Sequence, residues 1–431
     1  MIAGIVFCLF SSVFAYSGGS GTEADPYQIA TVSDWQQLMN TSSDWNKSFI
    51  MTADVNLQGV ALIPVGGGWP DFNGIFDGNG HIIRNADINM PHSGAVGLFG
   101  YSNGQIRNLG VVDVNISGHG TIGGLVGYNN GTIATCYATG SVNGNEDVGG
   151  LVGWNGRLGP TITDCYATAT VTGSNRVGGL AGSNFDTITN CYATGVVSGV
   201  SSVGGLVGYN YGGGGINNCY STGSVSGSSS SDSVGGLVGG NYGGTIAACY
   251  ATGAVTGNSG SYSIGGLVGY NGGSISNCYS TGAVSGYDGV GGLVGYAWNS
   301  SSVISSFWDM DTSDQTTSDG GTGKTTVEMK TLSTFASAGW DFDYTDGDPA
   351  DWFIQIDEYP ILTWQISPAD IYTDGKNNFR DFAIFAQYWM REDCAIYNYY
   401  CDWADLDFNG SVDIDDLIVL MSYWLQSGIY E

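Results

Sequence analysis

The sequence predicts an all-β parallel β-helix, a solenoid of stacked turns, joined to a small α-helical calcium-binding module. Three observations point there. A Gly-Gly-Leu tripeptide recurs every 26–31 residues, beginning at Gly123, Gly149, Gly178, Gly204, Gly235, Gly265 and Gly291. The chain holds 72 Gly and 26 Tyr but only 11% charged residues, a composition suited to short strands and tight turns. Near the C-terminus, two twelve-residue acidic loops each run into an apolar, helix-forming stretch.

The repeat predicts the stacking. One unit reads GGLVGYNNGTIATCYATGSVNG and another GGLVGYNGGSISNCYSTGAVSG, each two short apolar strands parted by Asn-Gly or Gly-Gly turns. A unit this small cannot bury its apolar face alone, so units must stack, with equivalent residues about 4.8 Å apart. Columns then follow from the alignment. Asn129, Asn155, Asn184, Asn210, Asn241 and Asn271 form one, and Thr139, Thr168, Thr194, Thr222, Thr252 and Thr281 another. Stacked amides can hydrogen-bond along such a column. Ile133 and Cys136 are three positions apart, so a bend must intervene if both point inward.

Cys136, Cys165, Cys191, Cys219, Cys249 and Cys278 form a third column. It reads first as buried thiols filling the core. Disulfides between neighbouring turns and a metal site are the alternatives. As buried thiols, replacement by serine is expected to cost at least as much as replacement by alanine, because it buries a hydroxyl.

These units, with a degenerate one at 96–118, resemble the GLUG repeat family over about 96–295. The segment FNGIFDGNGHIIRN at 72–85 resembles the lead-in before such repeats. The resemblance implies a right-handed parallel β-helix in an extracytoplasmic protein and does not imply catalysis. Domains are accordingly expected at 1–15 (signal peptide), 16–95 (start and cap), 96–302 (repeats), 303–366 (closing segment) and 367–431 (calcium module). The apolar run at 2–10 followed by Val13-Phe14-Ala15 has the form of a signal peptide.

The second acidic loop, Asp405-Leu406-Asp407-Phe408-Asn409-Gly410-Ser411-Val412-Asp413-Ile414-Asp415-Asp416, fits a calcium loop. Asp405, Asp407, Asn409, Ser411, Asp413 and Asp416 supply the ligand positions and Gly410 the sharp turn. The first loop aligns with it, offering Asp370, Asp374, Lys376, Asn378 and Asp381, but Tyr372 stands at the third ligand position. It should bind calcium more weakly. Helices are expected at 381–390 and 416–425. The duplicated loop and helix resemble a type I dockerin, which implies two Ca²⁺ ions and docking to a cohesin domain. In that family loop positions ten and eleven help to choose the partner; here they are Phe379, Arg380, Ile414 and Asp415. Cys394 and Cys401 between the loops are expected to form a disulfide in an exported protein.

The net charge of −29 argues against nucleic acid and anionic membranes, and −19 of it falls within 301–431. No HExxH motif occurs, and the acids of the repeats, among them Asp147, share no column. Asp147 and Arg176 read as solvated turn residues. The sequence therefore points to a secreted or cell-surface solenoid with a structural, adhesive or carbohydrate-binding role. A cohesin-like domain or surface component would be its partner, and insertion of the mature chain into a membrane is not expected. The alternative is a dockerin-bearing polysaccharide lyase or glycoside hydrolase.

Overall fold

The computed structural model describes residues 16–156, 159, 161–228, 231–299, 301–342, 351–365, 379–394, 401, 404–406 and 410–427, with side chains up to 421. The expected signal peptide lies outside these residues, as do Asp370, Asp374, Lys376, Asn378, Asp407 and Asn409.

The chain winds into a parallel β-solenoid. Each turn carries five short strands, seen in the turn that runs through Thr121–Gly123, Val126–Asn129, Thr132–Ala134 and the long strand Tyr137–Asn143, which serves two columns. The strands of successive turns pair in parallel, as in Thr132↔Thr161, Ile133↔Ile162 and Ala134↔Thr163, with a register shift between Val111 and Val114. The longest column stacks eleven strands, about 48 Å at ~4.8 Å each. The two strand columns on the face of Tyr137–Asn143 are joined only where Gly110–Gly118 and Tyr137–Asn143 run unbroken through both.

The bend required by the sequence falls at one residue per turn. Thr135, Asp164, Asn190, Asn218, Ala248 and Asn277 adopt left-handed backbone, with φ between 49° and 53°. Each stands between the buried isoleucine of one strand and the cysteine that opens the next. The turn at Thr135 thus directs Ile133 and Cys136 into one core, where both are at most 1% exposed. Asparagine and aspartate tolerate this conformation best, and they hold four of the six positions.

Glycine meets a different demand at the Gly-Gly-Leu corner, where two strand columns pack backbone to backbone. A Cβ on Gly123 would lie 2.1 Å from the Val126 carbonyl oxygen, and one on Gly208 2.4 Å from the Val177 nitrogen. No side chain fits between these layers. Leu125, Leu151, Leu180 and their equivalents then turn inward and are fully buried.

Segments outside the repeats pack on the solenoid at both termini. At the start, the helix Val32–Asn40 is held by a capping box between Thr31 and Asp34 and buries Trp35, Leu38 and Met39. At the other end, the closing segment folds back along the side of the solenoid. Phe335, Trp340 and Trp352 pack with Tyr250 and Tyr279 in one buried cluster. Trp364 donates its indole N–H to the Asn218 carbonyl at 3.0 Å.

Candidate functional site

The repeat builds three internal ladders. The asparagines form one chain of amides: Asn129 Nδ2 donates to Asn155 Oδ1 at 2.9 Å, and the pattern continues through Asn184, Asn210, Asn241 and Asn271 at 2.8–3.0 Å. All six are fully buried. The cysteines form the second. All six are free and buried. Each thiol donates to the carbonyl two residues earlier, as Cys165 does to Thr163 at 3.0 Å and Cys219 to Asn217 at 3.0 Å. The sulfurs of Cys165, Cys191 and Cys219 also accept the backbone N–H of the preceding turn's cysteine, as Cys136 N to Cys165 Sγ at 3.3 Å. Burial, reinforced by the neighbouring thiols, pushes Cys136, Cys191 and Cys249 well up from the ordinary thiol range.

The third ladder is aromatic and reaches the surface. Tyr137, Tyr166, Tyr192, Tyr220, Tyr250 and Tyr279 stack with centroids 4.7–5.0 Å apart and planes within 9°. A second aromatic line runs through Tyr101, Tyr128, Trp154 and Phe185 and, from Tyr209, through Tyr242 and Tyr270 to Tyr296. Both were legible as the Tyr of each Cys-Tyr pair and the aromatic of most Gly-x-Asn strands. Their geometry decides what they offer. Within a stack each ring covers its neighbours' faces, so only ring edges and hydroxyls meet solvent, and an open face exists only where a ladder ends. Burial raises Tyr166 and Tyr220 to about 12, with the charges of neighbouring phenols adding to it.

Asp147 and Arg176 correct the sequence reading. Asp147 is 2% exposed, and the Arg176 guanidinium of the next turn donates to its Oδ2 at 2.9 Å. Ser183 also donates to Asp147. Asp147 is therefore a buried ion-pair partner and not a solvated turn residue. Its hydrogen bond raises Arg176, outweighing the burial that acts to lower it.

In the C-terminal part, helices run over Phe379–Tyr388 and Ile414–Ser427, each starting two residues before the expected position. Arg380, Ile414 and Asp415 thus lie in first turns and are exposed, and Phe379 opens its helix. Cys394 and Cys401 form a disulfide. Asp381, Asp405 and Asp416 are fully buried. Asp405 Oδ2 accepts from the Gly410 N–H at 3.0 Å, and Asp416 accepts from Leu406 and Asp413. Asp413 in turn accepts the Asp415 N–H, capping the second helix. Gly410 has φ 95°. Ser411 and Asp413 are half-buried on the same loop. Buried carboxylates gathered on one turn suit a hard cation. Among the described residues alone, no three His, Cys, Asp or Glu side chains converge as a metal set. The apolar residues of the helices divide. Phe385 and Leu420 are buried with the disulfide, while Ile414, Ile418 and Met421 are 58%, 61% and 42% exposed.

Comparison with known proteins agrees with the repeat. The GLUG motif matches six consecutive segments, 118–143, 144–172, 173–198, 199–226, 230–256 and 260–285. The chain is thus a β-solenoid built on GLUG repeats. Halomucin of Haloquadratum walsbyi is 33% identical over 141 residues, 30% of this chain and 2% of that protein. A "Putative Gly-rich membrane protein" of Evansella cellulosilytica is 42% identical over 84 residues, 19% of this chain and 10% of that protein. The chain thus spans a small fraction of the curated relatives it matches. The crystal structure of "a putative immunoglobulin A1 protease from Bacteroides ovatus" is 23% identical, covering 81% of this chain and 95% of that one, with a TM-score of 0.49. Among the described residues, no helix is long and apolar enough to cross a membrane.

Proposed function

We propose that this protein is a secreted or surface-displayed solenoid with a structural, adhesive or glycan-binding role, held in place by a calcium-dependent C-terminal module. The observation that carries the reading is the duplicated loop and helix, in which Asp381 and Asp416 occupy the same loop position and are both fully buried. Ca²⁺ would be held in the second loop by Asp405, Asp407, Asn409, Ser411, Asp413 and Asp416, and more weakly in the first by Asp370, Asp374, Lys376, Asn378 and Asp381. The ion would neutralise the carboxylates and order the loops against their helices. Ile414, Ile418 and Met421, exposed at i, i+4 and i+7, would then form an apolar face for a cohesin-like partner, with Arg380 and Asp415 exposed at the helix starts and Phe379 beside Arg380.

Calorimetry of the full chain with Ca²⁺ and with EDTA tests this. Binding of two ions, with Asp405→Ala weakening it more than Asp370→Ala, is expected. Absence of Ca²⁺ binding, or capture of a cohesin equally well in EDTA, refutes the calcium-dependent docking.

A further inference from the structure

The tyrosine ladder is covered along only part of its length. Trp364 packs on Tyr192 and Tyr220 at ring-centroid distances of 6.1 and 5.7 Å. Trp352 and Trp340 cover Tyr279, and Gln365 exchanges hydrogen bonds with the Tyr250 hydroxyl. The closing segment thus occupies the later turns with apolar rings and an amide. Tyr137 and Tyr166, at the opposite end, stay half-exposed.

There the ladder stops abruptly. The column position of Tyr137 is held one turn earlier by Gly110, which pairs with both Tyr137 and Ile82. Tyr137 has Tyr166 against one face at 4.7 Å, and its ring leans into the space a side chain at residue 110 would fill. In front of it opens a groove of about 500 Å³, lined by Asn79, Asn108, Thr135, Asp164 and the two tyrosines. Asn108, Thr135 and Asp164 are the left-handed bend residues of three successive turns, and Asn79 lies in the longer bend of the turn before them, so the stacking of turns sets their polar groups beside the terminal ring.

We propose that this groove is a saccharide-binding site that takes a neutral pyranose unit beside Tyr137. The proposal deepens the glycan-binding part of the function above and does not involve the calcium module. A sugar ring has a C–H face that packs on an aromatic ring and a rim of hydroxyls that both donate and accept. Asn79, Asn108, Thr135 and the phenols supply both roles, on a volume within the range of small-ligand sites. The charges favour a neutral sugar over a uronate. Arg107, on the strand leading to Asn108, is held by Asp77 at 2.8 Å, the groove's own charge is the Asp164 carboxylate, and the chain carries −29. Asp164 already accepts from Asn190 Nδ2 at 3.0 Å, so it serves as one acceptor and not as a free anion seeking a cation.

The test is calorimetry and saturation-transfer NMR of the full chain in EDTA, which silences the C-terminal loops. The probes are neutral cello-, manno-, xylo- and chito-oligosaccharides, oligogalacturonate and tetramethylammonium. Binding of at least one neutral series is expected, with Tyr137→Ala weakening it about tenfold or more. Tyr137→Leu keeps apolar bulk without a flat ring and should weaken binding like alanine, so the result does not hang on one variant's folding. No binding to any neutral series, equal binding by folded Tyr137→Leu, or a preference for oligogalacturonate or tetramethylammonium would overturn it. None of those outcomes touches the calcium-dependent docking.

Discussion

The backbone N–H of Cys278 donates to the hydroxyl of Ser306, 3.1 Å away, and that hydroxyl donates to the Ile304 carbonyl at 2.8 Å. Ser306 stands one turn beyond the last cysteine and makes the same two bonds that a thiol makes elsewhere in the column. The carbonyl before each bend already accepts the bend N–H of the preceding turn, as Asn217 does from Asn190 at 3.2 Å, and the side chain after the bend gives it a second bond. The cysteine is there for two hydrogen bonds as well as for its volume.

This reverses the expectation that serine is worse than alanine in the column. Cys219→Ala leaves the Cys191 N–H without its partner and the Asn217 carbonyl with one bond in place of two, and should cost about 1–3 kcal/mol. Cys219→Ser should cost about 1 kcal/mol or less, because a hydroxyl replaces both bonds. Urea unfolding of the two variants checks the order. Thiol titration of the chain from Tyr16 onward complements it: six groups should react after denaturation without reductant and almost none in the native protein, because burial puts the thiols out of reach.

The asparagine ladder should be as sensitive at its middle. Asn210 accepts from Asn184 and donates to Asn241. Asn210→Leu leaves a buried amide N–H and a buried amide oxygen each lacking one bond, a loss of about 2–4 kcal/mol. Asn271→Leu, at the end of the ladder beside Ala297, breaks one ladder bond in place of two and should cost less. Equal midpoints for the two variants in denaturant would contradict the ladder's continuity.

Glycines of the corner should tolerate no side chain. Gly208→Ala places its Cβ 2.4 Å from the Val177 backbone nitrogen, which a rotamer change cannot relieve, and should destabilise by about 3 kcal/mol. Gly68→Ala, whose Cβ would meet nothing within 4 Å, should change stability by less than about 0.5 kcal/mol. Thermal melts of the pair separate close packing from a general dislike of substitution.

The tyrosine ladder predicts an alkaline limit. Tyr166 and Tyr220 are raised to about 12 in the folded chain, against about 10 when unfolded. A group with its folded pKa raised contributes stability that is fully present below its unfolded pKa and lost as pH rises through the folded one. Stability should therefore hold up to about pH 10 and decline between 10 and 12, with phenolate absorbance rising late and with unfolding. Tyr166→Phe should soften the decline, as read by melts at stepped pH.

How much of this was legible in the sequence follows from which interactions repeat. The spacing of Gly-Gly-Leu, the columns of asparagine and cysteine and the stacking of turns depend on local pattern repeated in register, and the alignment of units carries all of that. It also required a bend between Ile133 and Cys136 without placing it. The bend sits at a residue whose identity varies from Thr135 to Asp164 to Ala248, so composition does not mark it. The tertiary structure alone decided three things. It joined Asp147 to Arg176 across a turn boundary, where each looks like an isolated surface charge. It laid the closing segment along the later tyrosines and left Tyr137 open. It gave serine a cysteine's role at Ser306. Each depends on what stands one turn away in space, about 4.8 Å distant but some thirty residues along the chain, and a single unit's sequence holds no record of that neighbour.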